Sequence, residues 1–365
     1  MSLWRWIEPI VTGSVDADNY GNRYTGQYRY GVTFNLNNPF ALGDQISYRA
    51  MKTDGDMGFY RLGYVVPVGY WGTRVGASYT YFHYKLGEDL DYTNSYGQGT
   101  VYSLFGFHPI IRTRGANLIA QLAYSDMSFN DRIQVANFNI DRTIRVTRAG
   151  LVGDFRDNIY GGGLNSFTLT YSRGFAHIHQ ADLRATDKDT LQTSGKYNKQ
   201  NWEYRRLQKI NDDSNLLLAF RGQMANKNLM SAEKFSLGGP EGVRAYPTGE
   251  GLGDEGWIFT AEYRYIIPGF KILDGDVTML GFWDQGHVQE FEHFNKTLAC
   301  AGGATQPRCS QNYRNLSGFG FGASAGRDSD YLLRLNLAWR NENDKPQSDP
   351  AERIPRVWVQ GIKWF

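Results

Sequence analysis

Residues 24–36 read YTGQYRYGVTFNL, and their alternation decides the fold. Tyr24, Gly26, Tyr28, Tyr30, Val32, Phe34 and Leu36 fall on one side of an extended chain, and Thr25, Gln27, Arg29, Gly31, Thr33 and Asn35 on the other. A strand sends successive side chains to opposite faces, whereas helical spacing would scatter these apolar residues around a cylinder. One face suits lipid and the other water. The split recurs in Tyr331, Leu333, Leu335, Leu337 and Trp339 against Arg334, Asn336, Ala338 and Arg340. It recurs again in Trp257, Phe259, Ala261, Tyr263, Tyr265 and Ile267 against Thr260, Glu262, Arg264 and Ile266.

Composition fits a strand-built membrane wall. Aromatic residues make up 15% of the 365, yet the mean hydropathy is only −0.50. No run approaches the ~18 apolar residues of a spanning helix. A transmembrane barrel needs only alternate residues to be apolar and gathers aromatics at its two interfaces, so it reconciles both facts. With 39 basic against 37 acidic residues, charge gives no footprint for nucleic acid.

The alternation yields sixteen strands, near 10–18, 23–36, 44–54, 57–68, 73–85, 98–108, 115–128, 142–156, 164–177, 198–210, 214–227, 256–267, 275–288, 313–325, 331–340 and 354–365. The fold expected is all-β: one 16-stranded antiparallel transmembrane barrel spanning 1–365, an even count as single-chain bacterial barrels require. Short turns, such as Lys209 to Asp213 and Gly326 to Asp330, alternate with longer segments at 86–97, 129–141, 178–197, 228–255, 289–312 and 341–353. Short periplasmic turns and long outer loops would put both termini in the periplasm of a Gram-negative cell. The start, Met1 to Trp4, has no basic and apolar leader, so an exported chain is expected to have lost its signal peptide upstream. Phe365 ends the last strand on the face of Val357 and Val359, as in the terminal signal that outer-membrane barrels present to their assembly machinery; Lys363 departs from that pattern. Cys300 and Cys309 flank a loop-like stretch and stand either as one small disulfide or as two free thiols.

Catalytic patterns fail on context. Gly322, Ala323, Ser324, Ala325 and Gly326 spell a nucleophile elbow, but a turn and another strand follow where a helix is needed. Gly318, Gly320 and Gly322 open a dinucleotide fingerprint with the same defect. His177 and His179 lack further ligands for a metal. No enzyme, metal or cofactor is expected.

The informative segment runs from Leu237 through Gly238, Gly239, Pro240, Glu241, Gly242, Val243, Arg244, Ala245, Tyr246, Pro247, Thr248 and Gly249 to Glu250. Its Gly and Pro content makes a structured turn, and an Arg beside an aromatic suits a loop folded in against a wall. Gly242, Val243, Arg244 and Tyr246 resemble the sixth-loop motif of the superfamily of two-partner secretion transporters and barrel-assembly proteins. Phe282, Asp284 and Gly286, on the thirteenth strand, resemble its second hallmark, Phe-x-Asp-x-Gly. The Gly-Gly-Pro run, Gly253 to Gly256, and Asp157, Asn158, Gly161 to Gly163 and Asn165 resemble the two-partner secretion branch. Ala245 stands where that family has Gly.

Period two turns Asp284, Phe282, Leu280 and Thr278 inward, with Gly318, Gly320 and Gly322 beside them. The expectation is that the long loop folds into the lumen, lies over this glycine patch and pairs Arg244 with Asp284. The resemblance implies a pore that secretes one cognate exoprotein, an adhesin or cytolysin carrying an N-terminal secretion domain, without nucleotide hydrolysis. Polypeptide-transport-associated periplasmic domains, absent from 1–365, would recognise it. Outer-membrane lipid and the barrel assembly machinery are the other expected partners, and the chain is expected to be a monomer. The rival readings are a barrel-assembly factor of the same superfamily and a small-solute porin.

Overall fold

A computed structural model describes residues 9–293, 312–341, 345–349 and 353–365. The alternating segments form β1 (Val11–Asp18), β2 (Arg29–Asn37), β3 (Gln45–Thr53), β4 (Asp56–Val68), β5 (Thr73–Lys85), β6 (Ser95–Arg112), β7 (Ala116–Ile133) and β8 (Phe138–Asp157). They continue as β9 (Gly163–Ile178), β10 (Gly195–Lys209), β11 (Ser214–Ala225), β12 (Glu255–Ile272), β13 (Gly275–Gln289), β14 (Tyr313–Arg327), β15 (Tyr331–Arg340) and β16 (Arg356–Trp364). Each pairs antiparallel with its sequence neighbours, and β16 returns to β1, closing a sixteen-stranded barrel. Closure leaves no edge whose backbone groups would be unsatisfied in lipid. The seam runs from Ser14 opposite Trp364 to Asp18 opposite Gln360. Backbone hydrogen bonds between Gly13 and Phe365 extend it, at 2.8 and 3.0 Å.

Faces follow the sequence period. Tyr30, Phe34, Leu62, Tyr102, Leu122, Phe319, Phe321 and Val359 are exposed on the outer wall, while Asp284, Glu262, Arg244 and Asn336 are buried inside. β1 begins and β16 ends at the rim that carries the short turns.

The sixth and twelfth strands run on past their expected ends to Arg112 and Ile272, and three further segments differ from the sequence expectation. The second strand begins at Arg29 rather than 23, because Asn22 folds back to Gly26 as an isolated bridge and Gly26 has φ +105°. The expected loop 129–141 is mostly strand, with β7 and β8 running on to a turn at 134–137. Its polar residues Asn130, Asp131, Asn139 and Asp141 mark where paired strands leave the apolar band and need no alternation. The loop after β9 contains a helix, α1 (Ala181–Asp189), whose few apolar residues gave no periodic signal. Cys300 and Cys309 lie outside the described residues.

Candidate functional site: a loop clamped inside the barrel

The chain between β11 and β12 turns into the lumen. A short ribbon, Phe235–Ser236 paired with Leu252–Gly253, forms its stem. Beyond it the loop doubles back, with Val243 N–H donating to the Leu237 carbonyl at 2.8 Å. A Cβ on Gly242 would sit 2.0 Å from that carbonyl oxygen, so this approach admits only glycine. Val243 and Tyr246 are fully buried at the tip.

Arg244 is the hub. Its Nε donates to Asp284 Oδ2 at 2.8 Å and one terminal nitrogen to Oδ1 at 2.9 Å, a two-pronged pair. The Arg244 backbone N–H adds a third bond to Oδ2 at 3.2 Å, and Thr260 Oγ1 donates to Oδ1 at 2.9 Å. The remaining guanidinium nitrogen reaches Glu262 at 2.6 Å, and Glu262 also accepts from Arg264 at 2.7 Å. The guanidinium lies 3.4 Å from the Phe282 ring centroid, a cation–π contact in a desolvated place. Burial lowers the Arg244 pKa, but the Asp284 and Glu262 carboxylates outweigh it and hold the group above its ordinary value. Two cations and two carboxylates thus form a locally neutral network.

The glycines take different parts. A Cβ on Gly318 would meet Ala245 Cβ at 2.5 Å, so the loop rests on this glycine. Gly320 makes room for the Phe282 ring, at 2.4 Å from such a Cβ, and hence supports the loop through Phe282. Gly322 lies against Asn336 and Leu280, away from the loop, so only part of the glycine row lies under it. Gly286 accommodates Leu237 and Ile258. Phe365 packs edge-on against Phe34 at 5.8 Å on the outer wall. Lys363 is paired with Asp330 at the short-turn rim, so its charge has a partner there.

Apolar contact adds to the clamp. Leu237, Val243, Ala245 and Tyr246 of the loop pack on Ile258, Leu280, Phe282, Leu316 and Ala338 of the wall. At about 1.5–3 kcal/mol for each large side chain buried, this contact exceeds the net worth of one ion pair. Apolar burial therefore holds the loop in, and the Arg244 network fixes its register.

Further anchors escaped the sequence reading. Glu250 accepts from Ser348 Oγ at 2.5 Å, from the backbone N–H groups of Gln347 and Ser348, and from Arg314 on β14. Burial raises its pKa, but these donors prevail and the carboxyl stays below its usual range. At the stem Glu233 takes Arg148 and Lys199, each at 2.7 Å, and Asp254 takes Lys234 at 2.7 Å. Thr248 Oγ1 donates to the Tyr20 carbonyl at 2.8 Å, reaching the β1–β2 connection. Inward parity lists Glu262 as a wall residue and could have listed Arg148 and Arg314 in the same way. Which of them meets the loop depends on strand register, which the sequence does not display. Under the loop remains a cleft of about 350 Å³, lined by charges of both signs that include Glu203, Arg205, Arg264 and Arg334.

Residues 7–308 match the family described as haemolysin secretion/activation protein ShlB/FhaC/HecB. The heme/hemopexin transporter protein HuxB of Haemophilus influenzae is 25% identical over 354 residues, covering 96% of this chain and 59% of HuxB. The outer membrane transporter CdiB of Dickeya dadantii is 24% identical over 308 residues, 82% of this chain and 54% of CdiB. The solved CdiB from Escherichia coli superposes with a TM-score of 0.77 at 18% identity, covering 99% of this chain and 64% of that one. The chain thus spans about three fifths of the relatives it matches.

Proposed function

This chain belongs to the haemolysin secretion/activation protein ShlB/FhaC/HecB family, and from that premise we propose that its barrel is the outer-membrane pore through which one cognate exoprotein leaves the cell. The observation that carries this reading is the loop clamped across the lumen by Arg244, Asp284 and Glu262. A whole polypeptide needs a luminal path of defined shape, and this loop, held by side chains rather than built into the wall, sets that shape. The mixed charges of the cleft, Glu203 and Arg205 beside Arg264 and Arg334, suit an extended chain of no fixed sequence, since they keep the path wet and offer both donors and acceptors.

In this reading the short-turn rim and both termini face the periplasm, and the long loops face outward. The family's polypeptide-transport-associated domains choose the exoprotein by its N-terminal secretion domain; the barrel passes it. Transport draws on folding of the exoprotein outside rather than on nucleotide hydrolysis. Arg244 and Asp284 set the docked register, Gly318 admits the loop, and Phe365 serves insertion by the assembly machinery.

The test is secretion of the partner exoprotein by cells carrying the gene in its native setting. Arg244→Ala should lower the exoprotein in the medium at least about tenfold with barrel level in the membrane unchanged. Unchanged secretion alongside loss of other outer-membrane proteins would instead favour a barrel-assembly role. Unchanged secretion with altered permeability to small solutes would favour a porin.

A further inference from the structure

On the outer wall, Arg145 of β8, Phe175 of β9 and Lys196 of β10 stand in one cross-strand row. Arg173 lies one outward position below Phe175, opposite Thr147 and Asn198. The stacked rings of Phe175 and His177, 6.1 Å apart, confirm the shared face. Neighbouring strands are ~4.8 Å apart, so the Arg145 and Lys196 backbones flank Phe175 at roughly 10 Å from each other.

Height gives this row its meaning. A second outward charged cluster lies near the short-turn rim, where Arg206 holds Asp157 and Asn165. Between the two clusters the outward positions of β8, β9 and β10 carry no charge and include Leu151, Phe167, Leu169, Tyr171 and Trp202. From Asn165 to Phe175 the strand climbs ten residues, roughly 33 Å along the strand and roughly 25 Å along the axis at the usual tilt. That is the height of the apolar band of an outer-membrane barrel. The Arg145 row therefore sits at the headgroup level of one leaflet.

The two clusters differ in charge. Arg206 is matched by Asp157. In the upper row Arg145 is matched by Asp126 at 3.0 Å, but Arg173 and Lys196 have no carboxylate partner among the described residues. Just above Phe175 a cleft of about 800 Å³ is lined by His177, by Arg184 and Lys188 of α1, and by Lys227. Its one carboxylate, Asp187, accepts from Thr193 Oγ1 and from the Thr193 and Ser194 N–H groups. Surplus positive charge at headgroup height over an apolar wall fits a lipid with a multiply phosphorylated headgroup.

We propose that this face binds lipopolysaccharide of the outer leaflet, its phosphates held by Arg173, Lys196 and the cleft cations and its acyl chains lying on Tyr171, Leu169 and Trp202. The assignment to that leaflet rests on the proposed orientation with long loops outside. Secretion itself is not needed for it, so binding to purified protein separates the two readings.

The experiment measures lipid binding to the purified, detergent-solubilised barrel by native mass spectrometry, with heat-modifiable gel migration as the folding control. Bisphosphorylated lipid A should bind about tenfold or more tightly than the same lipid stripped of phosphate. The double variant Arg173→Ser with Lys196→Ser should lose this preference, and Arg173→Lys with Lys196→Arg should keep it. Millimolar inorganic phosphate should not compete, because it lacks the acyl chains. Equal binding of both lipids by the unaltered protein would overturn the proposal whether or not the variants fold. So would phosphatidylglycerol binding as tightly as lipid A, displacement by inorganic phosphate, or an unchanged preference in the serine double variant.

Discussion

The indole Nε1 of Trp358 donates to the carbonyl oxygen of Arg244 at 2.7 Å. The last strand thus holds the backbone of the residue whose side chain β13 holds through Asp284. Trp358→Phe keeps an aromatic ring but strands a buried carbonyl, at a cost of about 1–3 kcal/mol. Hydrogen exchange at the amides of 243–246 should accelerate about tenfold or more, with the β13 and β14 amides unchanged.

Gly318 and Ala245 share one space, with 2.5 Å between the Ala245 Cβ and a Cβ built on Gly318. Gly318→Ala should displace the loop at a cost of about 1–3 kcal/mol and reduce secretion. Adding Ala245→Gly should restore part of it, since the Trp339 carbonyl, 2.8 Å from the new Cβ, remains. Secretion assays of the two single variants and the double variant check this.

Glu250 supplies a pH dependence. Its carboxyl is held below the ordinary glutamate value by Ser348 and Arg314 despite burial. A depressed acid contributes its full stabilisation above the unfolded value of ~4.3 and loses it as pH falls through the folded value. Loop docking should therefore hold from pH 7 to 5 and weaken only below about pH 4. Glu250→Gln should show the weakened state already at pH 7. Protease cleavage within 237–250, followed against pH, gives the readout.

Phe365 packs on Phe34 and closes the seam at Gly13. Phe365→Ala should reduce the heat-modifiable, inserted fraction of the protein while leaving secretion per inserted barrel unchanged. Membrane fractionation alongside the secretion assay distinguishes the two quantities.

The wall was legible because lipid enforces alternation: wherever Tyr30, Phe34 or Leu335 faces outward, the period is unbroken. The strand ends were not, because in water Asn130 and Asp141 pair across β7 and β8 as well as any apolar residue does. The Arg244–Asp284 contact could be anticipated from parity and resemblance. Its sharing with Glu262 could not, since that depends on the register that sets Glu262 opposite Phe282. The Glu250 anchor brings together residues 64 and 98 positions apart in a loop, a strand and a second loop, with no local pattern to announce it. The outer-wall cations carried no motif and acquire meaning only from their height.

The central claim is that Arg244 and Asp284 act as one clamp on the luminal loop, and a double-mutant cycle in secretion tests it most directly. Arg244→Gln, Asp284→Asn and the double variant are compared for exoprotein released per inserted barrel. Arg244→Gln leaves buried Asp284 without a cation, and Asp284→Asn leaves Arg244 with Glu262 alone, so the account predicts that the double variant secretes at least as well as the worse single variant. The coupling should exceed about 1 kcal/mol. Defects that simply multiply would mean that the two residues act independently, and the clamp would be the wrong account.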